Sequence, residues 1–271
     1  MNKKCIKLNA FTLAEVLITL AIIGVVAALT ISPTIKDYRR HQVEAALKKN
    51  YSVLSQALIR AQTDYGQMST WDEFQQDYIQ EKDSFDFTEK YVIPYLKLIS
   101  YEKKSLKNMN YDKNMSYLTV NHLGYILHLA DGTIYVIHSY GPSQYIEHNT
   151  LIYSYVGFIE VMVDINGYKK PNQGGKDIFF FQYPVSGKTI EAFGETNVNI
   201  DKSIDNYVNK TGLNPNSKDD RRNASINMKQ VVRDTLSTEK LKQHCYDSAK
   251  GYCAGVIKRN GWKIPDDYPW L

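Results

Sequence analysis

Residues 11–31 read FTLAEVLITLAIIGVVAALTI, an apolar run carrying one charged side chain, Glu15. As a helix rising about 1.5 Å per residue it would span roughly 31 Å, close to the ~30 Å hydrocarbon core of a bilayer. A charge inside such a helix costs at least ~2.5–3.5 kcal/mol on insertion scales, so an acid kept there calls for a partner. The flanks set an orientation. Lys3, Lys4 and Lys7 precede the run with no acid among them, which holds that end in the cytoplasm and sends the rest of the chain outward. A cleaved secretory signal has a shorter apolar region and a small-residue cleavage site. Here Pro33, Lys36, Arg39 and Arg40 follow the run. Ala27, Ala28 and Leu29 could imitate a signal-peptidase site, but a discarded segment has no use for a costly acid.

The pattern LNA-FTLAEVLITLAIIGVVAAL resembles the N-terminal cleavage and methylation segment of type IV pilins and type II secretion pseudopilins. The match covers about the first 40 residues. The resemblance implies that a prepilin peptidase cuts on the cytoplasmic side, between Ala10 and Phe11, and methylates the new amine of Phe11. Thr12, Leu13 and Glu15 fall where the family has its hydroxyl, its apolar residue and its acid. Ala10 departs from the Gly most often found before the cut; both are small. The resemblance further implies that Glu15 meets the ammonium of a neighbouring subunit's Phe11 as a filament grows. Opposite charges in a low-dielectric bundle attract strongly and offset each other's desolvation. The implied partners are the peptidase, other pilin or pseudopilin subunits, an inner-membrane platform protein and a cytoplasmic assembly ATPase. The implied location is the inner membrane, crossed once with the head outside, and then a periplasmic or extracellular filament.

The formal charge of +4 falls to +1 once the three leader lysines are gone. A nearly neutral exported chain offers little support for nucleic-acid binding. Of the three cysteines, Cys5 leaves with the leader. Cys245 and Cys253 remain, and an even pair in an exported protein reads as a disulfide closing a short C-terminal loop. A metal pair would need further ligands, and neither a second Cys pair nor an HxxxH helix is present.

Beyond the membrane, Val43, Leu47, Tyr51, Leu54, Leu58, Ala61 and Tyr65 recur at steps of four and three. That spacing predicts one apolar stripe on a helix ending at Gly66. Gly24 and Pro33 mark places for a kink or local melting. Thr70, Trp71, Asp72 and Glu73 form a capping box for a second helix, with Trp71, Phe74 and Tyr78 on its apolar side. Thr88 caps a short helix that Pro94 limits. From about residue 116 the pattern turns to strands. Residues 125–129 and 133–137 flank Ala130-Asp131-Gly132 as a hairpin; 158–165 and 178–183 are further strands, about four in all. Residues 197–227 read as a polar exposed excursion. Residues 235–271 look helical around the cysteines, with a stop at Asn260-Gly261 and a tail whose Trp262, Ile264, Tyr268 and Trp270 pack onto the head.

The expectation is an α+β, pilin-like chain. A leader over 1–10 precedes a transmembrane and assembly helix over 11–32. An amphipathic stalk helix over 33–65 packs on the antiparallel sheet of a head over 66–271.

The sharpest motif in the head is Asp164-x-Asn166-Gly167-x-x-x-Pro171-Asn172-x-x-Gly175-x-Asp177, which resembles a loop of pseudopilin-like heads. Two readings stand side by side. Asp164, Asn166 and Asp177 could supply part of a Ca2+ shell, although no cofactor is required. Alternatively they bond local N–H groups in a turn. His41, His122, His128, His138, His148 and His244 have no ligand spacing. His128, Asp131 and Ser139 make a triad on paper alone, and no nucleophile elbow or phosphate loop is present. No residue is assigned a catalytic role. The expected function is a structural filament subunit. The alternatives are a pilin-stalked adhesin or DNA-uptake minor pilin, and a signal-anchored exported enzyme.

Overall fold

The computed structural model describes residues 11–71, 85–106, 123–140, 143–147, 150–154, 158–184, 189–214, 216–217, 220, 232–246 and 250–270. The described residues divide into two compact units, 11–42 and 43–270. One helix, α1 (Leu13–Tyr65), runs through both. Gly24 and Pro33 lie inside it without ending it. It stops at Gly66, whose φ of 82° suits a left-handed cap and whose N–H still reaches the Gln62 carbonyl at 3.0 Å.

The first unit carries the apolar run. Phe11, Leu13, Leu17, Ile18, Leu20, Ile22, Ile23 and Val25 are all exposed. Among the described residues no helix is long and apolar enough to cross a membrane; within the run, described side chains cover residues 11–27.

The second unit is α+β. Its sheet has six antiparallel strands: β1 (Leu98–Ser105), β2 (Leu123–Leu129), β3 (Ile134–Tyr140), β6 (Phe158–Asp164), β7 (Ile178–Pro184) and β8 (Glu191–Ala192), lying side by side in that order. Two two-stranded antiparallel sheets pair β4 (Ser143–Glu147) with β5 (Thr150–Ser154), and β9 (Thr196–Asn199) with β10 (Val232–Thr235). Among the described residues, further α-helices are α2 (Ile200–Thr211), α3 (Thr238–Tyr246) and α4 (Cys253–Arg259).

Pairing register decides which side chains meet α1. Tyr135 stands opposite Val163 and Val163 opposite Phe179; Ile137, Val161 and Phe181 form the next row. These residues are fully buried, and they lie on the face that α1 covers. The Tyr135 hydroxyl donates to Asn50 Oδ1 at 2.7 Å, the Tyr183 hydroxyl reaches the Leu54 carbonyl at 3.4 Å, and Tyr51 stacks obliquely on Phe181. The helix contributes Val43, Leu47, Leu54, Leu58 and Ala61 from the expected stripe, all buried. Tyr65 departs from it and is 47 % exposed. The other sheet face buries Ile126, Ile134, Val136, Met162, Ile178 and Phe180 with Leu106. Burying each such side chain contributes about 1.5–3 kcal/mol.

Several expectations need correction. The sheet has six strands instead of about four. β1 was not expected because its sequence, LISYEKKS, does not alternate; as an edge strand it is almost wholly exposed and buries no face that would impose a period of two. The expected excursion is ordered at its start, where β9 leads into α2 and Val208 is fully buried. Thr88 is not a cap. It lies inside a helical stretch, opening a π turn from Thr88 to Val92 that passes into a 3-10 turn from Ile93 to Tyr95. Thr70 closes a 3-10 turn, its hydroxyl donating to the Gln67 carbonyl at 2.7 Å. The helix expected after it, with Phe74 and Tyr78, lies outside the described residues, as do residues 221–227 of the excursion.

Asp131, in the β2–β3 turn, pairs with Lys49 of α1 and accepts the Thr133 N–H at 3.0 Å. Burial alone would push its carboxyl up, but the bonds from Lys49 and Thr133 outweigh burial and hold it below its ordinary 3.8. A lowered folded pKa gives stability that is present above the unfolded value and is lost as pH falls through the folded one. In denaturant titrations, Asp131→Asn should cost up to about 1 kcal/mol near neutral pH, because Lys49 is exposed. Its deficit relative to wild type should shrink between about pH 5 and pH 3.

Candidate functional site

The N-terminal end of α1 shows how the chain satisfies Glu15. The Thr12 N–H and the Thr12 hydroxyl both donate to Glu15 Oε2 at 2.8 Å, and the Glu15 N–H returns a bond to Thr12 Oγ1 at 3.3 Å. This reciprocal capping box answers two of the orphan donors of the first helical turn. An acid at this place also faces the positive end of the helix dipole. The sequence reading left Glu15 waiting for an ammonium from another subunit; within the single chain its partner is Thr12. Glu15 Oε1 takes no part in these bonds. Ala10 lies outside the described residues, and Phe11 is 85 % exposed.

The Asp164–Asp177 motif forms a clasped loop between β6 and β7. Asp177, almost fully buried, accepts the Asn172 N–H on Oδ2 and the Gln173 N–H on Oδ1, both at 2.7 Å, and the Asn166 side-chain amide on Oδ2 at 3.2 Å. Asp164 Oδ1 accepts the Asn166 N–H at 3.2 Å, an Asx turn. Asn172 has φ 51° and Gly167 φ 69°, so the loop needs residues that tolerate the left-handed region. A Cβ on Gly167 would meet the Gly132 carbonyl at 2.7 Å. The oxygens that sequence reading offered to Ca2+ are thus brought together, but Asp177 spends both of its own on N–H donors. Among the described residues no group of three or more His, Cys, Asp or Glu side chains is placed to hold a metal ion.

Cys245 and Cys253 are joined in a disulfide between the end of α3 and the start of α4. The tail beyond α4 packs as expected, with Ile264 and Tyr268 buried. It also uses a residue that the sequence did not single out. Glu44 of α1 accepts the Ile264 N–H at 2.9 Å and the Lys263 ammonium at 2.8 Å. Glu44 lies on the flank of the apolar stripe, and a lone Glu there reads as an ordinary solvated neighbour.

The histidines separate. His128 stands opposite Ile134 and packs near Tyr168, so it does not face His138; the Ser139 side chain of the paper triad lies outside what the structure describes. His244 stacks on Tyr252. His122 and His148 lie outside the described residues. His138 is buried and lies 3.0 Å from Glu160 Oε1. Register then continues the row: Glu160 opposite Gln182, and Gln182 opposite Glu191, with Gln182 donating to Glu191 at 3.1 Å. This transverse polar row was missed because its members sit on four different strands and meet through strand pairing.

A sequence model described as a family of unknown function, DUF6613, matches residues 34–271. The match begins after the apolar run. No curated protein and no solved structure matches the chain.

Asp177→Ala should destabilise the head by roughly 2–3 kcal/mol, because two backbone N–H groups lose a charged acceptor in a buried site. Added calcium or a chelator should leave the thermal midpoint of the wild-type chain within about 1 °C; a rise of several degrees with calcium would assign the loop a cation instead.

Proposed function

We propose that this chain, which belongs to the DUF6613 family, is a non-enzymatic structural subunit of a filament of the type IV pilin and type II secretion pseudopilin kind. The observation that carries the reading is α1 itself. Residues 43–61 of α1 sit on a sheet, and among the described residues of its first part the large apolar side chains at positions 11–26 are exposed. Leaving a Leu, Ile or Val in water forgoes about 1.5–3 kcal/mol each. A helix apolar on every face is covered by lipid or by other helices.

The proposed sequence of events starts in the bilayer, with residues 11–32 spanning it and the head outside the cytoplasm. Cleavage before Phe11 by a prepilin peptidase removes Lys3, Lys4 and Lys7, which had pinned that end. The helix then leaves lipid laterally and packs with copies of itself. Thr12 holds Glu15 by one oxygen, and the other is available to the ammonium of a neighbouring Phe11. That pair would set axial register in the bundle. A platform protein and an ATPase would drive the process, since the sequence has no phosphate loop of its own. The Asp164–Asp177 loop would serve as a clasp within the head, with no cofactor needed.

Glu15→Ala tests the assembly step in cells that carry the assembly machinery. The expected result is at least a tenfold loss of sheared fibres with unchanged amounts of membrane-held subunit. That loss corresponds to about 1.4 kcal/mol or more of lost pairing. Fibres of normal abundance from the variant would contradict the assigned role of Glu15.

A further inference from the structure

The tail after α4 makes a set of contacts that the filament reading does not use. It begins at Trp262, a bulky residue held at φ 65°, in a region such side chains rarely enter. Two contacts hold it there: its N–H donates to the Ile257 carbonyl at 2.9 Å, and its ring lies 5.0 Å from that of Tyr51. Next come the bonds from Lys263 and Ile264 to Glu44 of α1. Two aromatic anchors follow. The Tyr268 hydroxyl donates to the Gly175 carbonyl at 2.7 Å, and the Trp270 indole N–H donates to the Cys245 carbonyl at 3.1 Å.

Those anchors share one floor. A Cβ on Gly175 would lie 2.6 Å from the Trp270 ring and 3.1 Å from Cys253 Sγ. The clasped loop, the indole and the disulfide sulfur therefore press directly on one another. The acceptors of the two aromatic anchors, the carbonyls of Gly175 and Cys245, belong to this contact.

We propose that residues 262–270 form a redox-dependent latch, fixed to α1 at Glu44 and closing only when Cys245 and Cys253 are oxidised. On closing, the two thiols lose two protons and two electrons and form one S–S bond. The acceptor is an incoming disulfide, which is reduced to a dithiol. While the chain is reduced, the end of α3 and the start of α4 are joined by the intervening backbone alone and no longer cross-linked, so the Cys245 carbonyl and the Cys253 sulfur can part and the aromatic anchors lose their floor. Trp262 favours release, because a backbone in that region persists only while its surroundings over-determine it. The tail would thus stay open in a reducing compartment and lock onto α1 after export. The timing after export rests on the location given in the proposed function; the latch itself and its test use no filament and no membrane assembly.

Hydrogen exchange on the full chain in detergent micelles reads the latch at the Ile264 amide, which donates to buried Glu44. In the oxidised wild type this amide should be protected. In the Cys245→Ala, Cys253→Ala double variant its protection should fall at least about tenfold while the amides of β6 and β7 keep theirs, the signature of local opening. Wild type refolded in excess dithiol should match the double variant. Glu44→Ala should open the same amide with the disulfide intact. Unchanged Ile264 protection in either variant would overturn the proposal. So would equal loss across β6 and β7, which would mean that the bridge supports the whole head and not the tail.

Discussion

The burial of one stripe of α1 against the sheet is the interaction on which the rest of the head depends. Leu47, Leu54 and Ala61 are sealed between the helix and the rows led by Tyr135, Ile137 and Phe181. Apolar burial holds a helix to a sheet without fixing its rotation or its axial position. Directional contacts do that here. Asn50 meets the Tyr135 hydroxyl, the Leu54 carbonyl meets Tyr183, Lys49 meets Asp131 and Glu44 meets the tail. They lie on different sides of the helix, so a turn that improves one breaks another. Asn50 is a buried polar group on an apolar face, and its contact with Tyr135 answers the cost of placing it there.

Much of this was legible because it is local. The 3.6-residue period of Val43, Leu47, Leu54, Leu58 and Ala61 gave the helix, and Gly66 gave its end. Ala130-Asp131-Gly132 gave the β2–β3 turn, and the alternating Asp and Asn of the 164–177 loop gave a side-chain-clasped turn. The cysteine pair gave a bridge. In each case the residues that cause the structure sit within about twenty positions of one another.

What stayed hidden depends on pairings between distant segments. Glu44 and Ile264 are 220 positions apart, and nothing near Glu44 distinguishes it from Lys48 or Gln56. The row from His138 to Glu191 exists because three strand registers agree; a shift of one residue in any of them would send a member to the opposite face. β1 was invisible for a different reason. An exposed edge strand is under no packing demand to alternate, so its lysines read as a loop. Glu15 shows the reverse case: its local partner, Thr12, lies three residues away.

The capping box and the intersubunit ammonium are compatible uses of one carboxylate, since the first occupies Oε2 alone. The most direct measurement is the N-terminal sequence and mass of the mature chain after coexpression with a prepilin peptidase. The account predicts a chain beginning at N-methylated Phe11. Retention of Met1, or a new terminus near Leu29 left by an ordinary signal peptidase, would contradict it.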